Sequence, residues 1–385
     1  MKNRKIAVAI NFDWPLQRYH KLFEGIQAYA EKYTDWLLVW DHYPECRLEM
    51  SKTKSYYDGV IGRVSFETFE QSKRLGIPVV NTWSSNLIKD ITTVTVDYYK
   101  AGEIAAEHLL LKGFRNFVNI DYRASESSTS FNNGFMNAAK SYKCKFERHL
   151  ISYKCTSDLK TWNKLNSDFK KWSKKWQTPL GIYCSLSGIG PLVTARCIEN
   201  GFRIPEDVSV ITAGNEIAYC EGFHPSISSV EINYFKIGYE AARLLDIQLQ
   251  NKPVDQEWIR MGAVGCIPRE STDNYAVQDR DLKNALRFIN DNYQKNILVT
   301  DVVDYVKISR STLERKFLKD IGHTVFDEIN RLRISSAQRL LLETDIEVAD
   351  IGKTIGFSGS NHFIRVFKKL NKTTPGKYRE INKVY

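Results

Sequence analysis

Two stretches near the C-terminal end gather side chains that could read a nucleic acid. Ser309, Arg310, Ser311, Thr312, Arg315 and Lys316 form the first, and Ser358, Ser360, Asn361, His362, Arg365, Lys368 and Lys369 the second. Arginine and asparagine meet base edges with paired hydrogen bonds, whereas lysine and hydroxyl groups more often hold phosphate oxygens. A separate set lies upstream: Asn11, Trp14, Trp83, Asp97, Arg123 and Asn215. An indole stacks on a sugar face, and carboxylates, carboxamides and guanidiniums bond vicinal hydroxyls. Both sets offer recognition rather than bond-making. No nucleophile elbow, P-loop or paired-carboxylate motif occurs in the 385 residues, so no catalytic residue is expected. Gly188 and Gly190 are followed by Pro191 and lack a third glycine, which rules out a dinucleotide fingerprint. The seven histidines have no metal-ligand spacing. Neither metal nor cofactor is expected.

The elements that must carry the first two sets are legible from periodicity. Val302, Val303 and Val306 precede Leu313, Phe317 and Leu318; Val348, Ile351 and Ile355 precede Phe363, Val366, Phe367 and Leu370. Spacings of three and four put each group on one helical face. The result is one helix-turn-helix layout written twice, at about 300–320 and 347–370, with turns at Lys307-Ile308-Ser309 and Gly356-Phe357-Ser358. Ser309 and Ser358 are candidate N-caps. Residues 324–343 read as one longer helix between the units. In such a unit the second helix enters the major groove. One charged helix face is ordinarily just solvated, but two in tandem on a basic background point to double-stranded DNA. The background is basic: 20 Lys plus Arg face 14 Asp plus Glu over 279–385, within a chain of net charge +10.

At these residues the chain resembles the DNA-binding domain of the AraC family of bacterial transcription regulators. The match is densest over GFSGSNHFIRVFKKLNKTTPGKYR (356–379), where Gly356, Phe357, Phe363, Arg365, Phe367, Lys368, Lys369, Thr374, Pro375, Tyr378 and Arg379 fall on the family pattern. Lys372 departs from it, at a position usually held by glycine. The resemblance implies seven helices with two helix-turn-helix units and a central linking helix.

The first 270 residues alternate strand and helix signals, beginning with the apolar run Lys5–Ile10 and the helix Tyr19–Tyr33 and ending with strand 208–213 and helix 234–249. Such alternation implies parallel sheets flanked by helices, and two runs in succession imply two α/β subdomains. Loops at the carboxyl ends of their strands would face a cleft between lobes, which is where the upstream set falls. Either tryptophan could instead plug a hinge. The Lys- and Trp-rich stretch 160–176 suggests a nucleic-acid or membrane patch, yet Trp162, Leu165, Phe169, Trp172 and Trp176 share the spacing of an amphipathic helix packed on a sheet.

This region resembles the effector domain of LacI-type repressors, which is like periplasmic sugar-binding proteins. VTVDYYKAGEIAAEHLLLKGFRN (94–116), GIYCSLSGIGPLVTARCIENGFRIPEDVSVITAGNE (181–216) and ISSVEINYFKIGYEAARLL (227–245) carry the likeness. It implies that Asp97 bonds sugar hydroxyls. The family's sugar-binding arginine is replaced by Phe131, its Asn-Asp pair by Leu186-Ser187, and a late aspartate by Gly214 beside Asn215. An effector with one hydroxyl-bearing and one apolar face, such as a deoxy or otherwise modified sugar, fits that exchange. The competing assignment for Asp97 is a cap on the helix starting near Tyr98.

The expected organisation is therefore a two-lobed periplasmic-binding-protein-like α/β domain (1–270), a linker (271–280) and an all-α AraC-type domain with two helix-turn-helix units (281–385). Seven cysteines without a CxxC pair fit reduced thiols, and neither signal peptide nor membrane span is expected, which predicts a cytoplasmic protein. The expected function is transcription regulation, as an activator, with operator DNA, a small-molecule effector, a second copy of the chain and RNA polymerase as partners and no membrane. The competing function is a DNA-binding scaffold whose N-terminal module only dimerises.

Overall fold

A computed structural model describes residues 4–12, 16–50, 55–83, 88–122, 125–140, 142–152, 158–254, 258–277 and 279–382. Trp14 and Arg123 lie outside the described residues. The chain forms two compact units, one comprising 1–100, 124–131 and 231–264, the other 101–123, 132–230 and 265–385.

The first unit is built on β1 (Lys5–Ala9), α1 (Gln17–Tyr33), β2 (Leu37–Trp40), α2 (Pro44–Glu49), β3 (Gly59–Gly62), α3 (Phe66–Leu75), β4 (Val79–Asn81) and β5 (Thr92–Val96). Helix α4 (Tyr98–Leu111) then leads to the second sheet's β6 (Asn116–Tyr122), to α5 (Glu126–Ala138), which is divided between the units after Phe131, and to β7 (Lys145–Ile151), α6 (Leu159–Ser173), β8 (Leu180–Cys184), α7 (Ile189–Glu199), β9 (Val208–Ala213), α8 (Ile217–Cys220) and β10 (Ser228–Ile232). Next, α9 (Tyr234–Leu249) and β11 (Trp258–Met261) belong to the first unit, and β12 (Ala263–Ile267) to the second sheet. The sheets run β2-β1-β3-β4-β5-β11 and β7-β6-β8-β9-β10-β12. Pairings from β2 to β11 and from β7 to β10 are parallel. Strands buried on both faces explain the unbroken apolar runs, as in Ile6–Ala9 with no exposed surface.

Two α/β subdomains were expected in succession; the chain instead interleaves them. Helix α9, expected within the later run, packs on α1. A β-carbon on Gly25 would overlap the carbonyl of Phe235, and one on Gly238 that of Leu22, so both positions need glycine for the helices to approach. No local pattern reports which sheet a helix returns to, because either sheet offers the same apolar face.

The seven-helix segment consists of α10 (Arg280–Asn292), α11 (Val299–Val306), α12 (Arg310–Asp320), α13 (Val325–Glu343), α14 (Val348–Thr354), α15 (Ser360–Asn371) and α16 (Pro375–Asn382). It has two cores. Leu286, Val302, Leu313 and Phe317 fill the first; Ile351, Phe363, Phe367 and Tyr378 fill the second. Helix α13 serves both, through Ile329 in one and Ile334, Ala337 and Leu341 in the other. Leu318 and Leu370, counted above with the apolar stripes, are exposed instead. The expected linker is no free tether: Ser271 and Thr272 have no exposed surface, and the Ser271 hydroxyl donates to the Val210 carbonyl at 2.6 Å.

Candidate functional site

The two second helices, α12 and α15, present matching faces. Arg310, Ser311 and Arg315 are exposed on α12 opposite the buried Leu313 and Phe317; Ser360, Asn361, Arg365, Lys368 and Lys369 are exposed on α15 opposite Phe363 and Phe367. Thr312 and His362 are half-buried. The Ser309 hydroxyl accepts from the Thr312 amide at 3.2 Å and so caps α12. Ser358 does not cap α15. That position belongs to Gly359, which has no side chain to accept a bond, so Ser358 is left exposed in the turn. Both turns use left-handed backbone, at Lys307 (φ 57°) and Gly356 (φ 87°). Lys316 is drawn away from a free basic face. Its ammonium lies 2.7 Å from Asp279 and 2.7 Å from Asp281 at the start of α10, an arrangement that raises its pKa and lowers that of Asp279. The His362 imidazole packs edge-on against Phe357 at 5.3 Å, and burial, with Arg365 and Arg333 nearby, lowers its pKa.

A residue not singled out from the sequence bridges two segments near these helices. Arg333, on the buried face of α13, donates to the carbonyls of Tyr293, Lys295 and Ile297 at 2.9–3.2 Å and stands 5.4 Å from the Phe357 ring. One guanidinium thus ties the segment after α10 to the turn of the second unit. Its signal was available: Ile329, Arg333, Ala337 and Leu341 follow a spacing of four, so an arginine interrupts an apolar stripe. Arg379 acts similarly at the far end of α13, donating to the carbonyls of Leu341 and Ile346.

In the first unit the carboxyl ends of β1, β3, β4 and β5 stand side by side, and they carry Asn11, Arg63, Trp83 and Asp97 in that order. Asp97 does cap α4: its Oδ1 accepts from the Lys100 amide at 2.8 Å. Arg63 was not singled out from the sequence; its guanidinium lies 3.8 Å from the Trp83 ring centre.

In the second unit Asn215 is already engaged, because its carbonyl oxygen accepts from Arg269 at 2.7 Å and from the Ser229 hydroxyl at 3.1 Å. The strand ends there are organised by Asp121, which has no exposed surface. It accepts from the Ser185 amide and hydroxyl, both at 2.7 Å, and from Asn119 at 3.0 Å. Burial pushes its carboxyl up to about 6, against the pull of those hydrogen bonds. Phe131 has no exposed surface. Gly214 takes a φ of 82°, so the residue at the late-aspartate position is also a backbone requirement.

A periplasmic binding protein-like domain matches residues 106–272, and a helix-turn-helix domain matches 302–381. The xylose operon regulatory protein of Escherichia coli K12 is 26% identical over 99% of this chain and 98% of its own length. The protein of that name from Haemophilus influenzae is 30% identical over 54% of each chain. Among solved structures, a xylose-binding transcription activator matches over 100% of both chains with a TM-score of 0.61 and 23% identity. A regulator in complex with cellobiose matches 70% of this chain and 86% of its own, with a TM-score of 0.57 and 17% identity. No helix among the described residues is long and apolar enough to cross a membrane. With two sheets of periplasmic-binding-protein type leading into two helix-turn-helix units, in an order shared with a relative from end to end, the chain has the domain make-up of an AraC-type transcription regulator that carries a periplasmic-binding-protein-like effector domain.

Proposed function

We propose that the chain activates transcription in response to a sugar or sugar derivative, acting as a homodimer at paired DNA half-sites and engaging RNA polymerase there. The effector is held at the carboxyl edge of the first sheet, with Asp97 as hydroxyl acceptor and Trp83 as stacking wall, assisted by Asn11. The observation that carries this reading is the placing of these side chains on adjacent strand ends, the edge where open α/β sheets take ligands. The likeness to a xylose operon regulator and to a cellobiose-bound regulator supports a carbohydrate as the ligand class. Arg310, Arg315, Asn361 and Arg365 read base edges, and Ser309, Ser311, Ser360, Lys368 and Lys369 hold phosphates.

The test is fluorescence anisotropy of the full chain on DNA from upstream of its own gene, with and without a panel of mono- and disaccharides. A sugar that changes the affinity or the footprint by tenfold supports the reading. DNA binding indifferent to every sugar, together with a melting midpoint that no sugar raises, removes the sensor half of it.

A further inference from the structure

The pairing of Arg63 with Trp83 is fixed by its surroundings. Asn81, at the end of β4 and with no exposed surface, accepts from the Val64 amide at 3.3 Å and the Trp83 amide at 3.0 Å, and donates to the Trp83 carbonyl at 2.9 Å. One carboxamide therefore sets the exits of both β3 and β4, and with them the indole on which the guanidinium lies. The Arg63 side chain is exposed, and no carboxylate among the described residues pairs with it. Stacking holds the plane of the guanidinium while its N–H edge stays free, and that edge matches the two oxygens of a carboxylate or phosphate. Two residues further on, α3 begins at its Ser65 cap, so its positive end adds to the same local potential.

Building on the proposal that this edge holds the effector, we infer that the effector is anionic: a sugar acid or sugar phosphate whose negative group is bound by Arg63 and whose hydroxyls reach Asp97. Arg63 leaves β3 and Asp97 leaves β5, with β4 between them. Two strand spacings separate them by about 10 Å, enough to seat a monosaccharide bearing a carboxylate or phosphate and to keep that charge away from Asp97. The position at which the resemblance implies a sugar-binding arginine is the buried Phe131 of α5, whereas Arg63 supplies a guanidinium at the end of β3.

Thermal melting and calorimetric titration of the full chain test this, with D-glucuronate, D-galacturonate and D-glucose 6-phosphate set against D-xylose and D-glucose at constant ionic strength. Inorganic phosphate serves as the bare-anion control. An anionic sugar is expected to raise the midpoint, with an affinity that falls as salt is added. Arg63→Gln should weaken that binding about tenfold or more while leaving the unliganded midpoint unchanged, and Arg63→Lys should weaken it less. Inorganic phosphate raising the midpoint as much as the anionic sugars would overturn the inference, as would anionic binding that survives Arg63→Gln. Stabilisation by the neutral sugars alone overturns it too but leaves the sensor reading standing, whereas stabilisation by no sugar of either kind removes both.

Discussion

At Asp97 the observed role and the proposed one can be separated by experiment. Its Oδ1 caps α4, and a cap of this kind is worth about 1 kcal/mol. Asparagine offers an equivalent oxygen but not the charge. Asp97→Asn should therefore leave the melting midpoint within error and abolish the response to the effector, whereas Asp97→Ala should lose both. An Asn variant that responds like wild type would reduce Asp97 to a cap. Asp121 makes a pH prediction. Its carboxyl stands near 6 rather than its ordinary 3.8, chiefly through burial, so the folded state holds a proton that the unfolded state has released. The stability this contributes is full below about pH 4 and is lost as pH rises through about 6, on the order of 3 kcal/mol. The difference between the denaturation curves of wild type and Asp121→Asn, followed from pH 4 to 7, should show that slope; parallel profiles would contradict it. On the DNA face, Arg310→Ala should cost about 1–3 kcal/mol at one base pair and relax specificity there, whereas Lys368→Ala should weaken all sequences alike and flatten the salt dependence. Competition binding against single-base operator variants reads both.

Elements were legible wherever a pattern was local. The double helix-turn-helix came from spacings of three and four, and its buried faces hold Leu313, Phe317, Phe363 and Phe367. The partners of those faces were not legible. Nothing in the sequence announces that Lys316 leaves the DNA-facing group for two carboxylates of α10, since those lie some 35 residues away and meet it only once the first core has formed. Ser358 failed as a cap for a local reason instead: the turn holds one more residue than its serine suggested, and Gly359 takes the position. The two serines now make a paired test. Ser309→Ala should lower stability by about 1 kcal/mol, while Ser358→Ala should leave it unchanged in the same urea titration. Lys372, the departure from the family pattern, ends α15 with φ at 58°. A side chain there carries a steric cost that glycine avoids, so Lys372→Gly should raise stability by about 1 kcal/mol. An unchanged or lowered midpoint would show that the turn is relaxed as it stands.

At the scale of the whole chain, the decisive feature is how the DNA-reading helices join the second sheet. The sequence suggested a linker at 271–280, but Ser271, Thr272, Asn274 and Tyr275 within it are buried and lead into a polar cluster that no pattern in one segment could reveal. Glu328 of α13 is 4% exposed; its carboxylate accepts from the Tyr275 hydroxyl at 3.5 Å and meets the His323 imidazole at 2.6 Å. The ammonium of Lys112, just past the end of α4, stands 4.7 Å from the Tyr275 ring. Burial lowers the pKa of both Lys112 and Arg331, and the charge of Glu328 opposes that in each. Asp273 and Glu328 beside Lys112, and Glu328 beside Arg331, thus supply counter-charge at a joint between the second sheet and the seven helices. Removing Glu328 leaves the Tyr275 hydroxyl and the His323 imidazole without this partner, at about 1–3 kcal/mol each. Glu328→Ala should therefore loosen this joint first. Limited proteolysis should cut within 271–277 in the variant and spare it in wild type, and amide exchange should quicken in α13 and at the end of α4 before the sheets are affected. If wild type and variant are cut alike, the joint does not depend on Glu328, and apolar packing alone fastens the DNA-reading helices to the body that carries them.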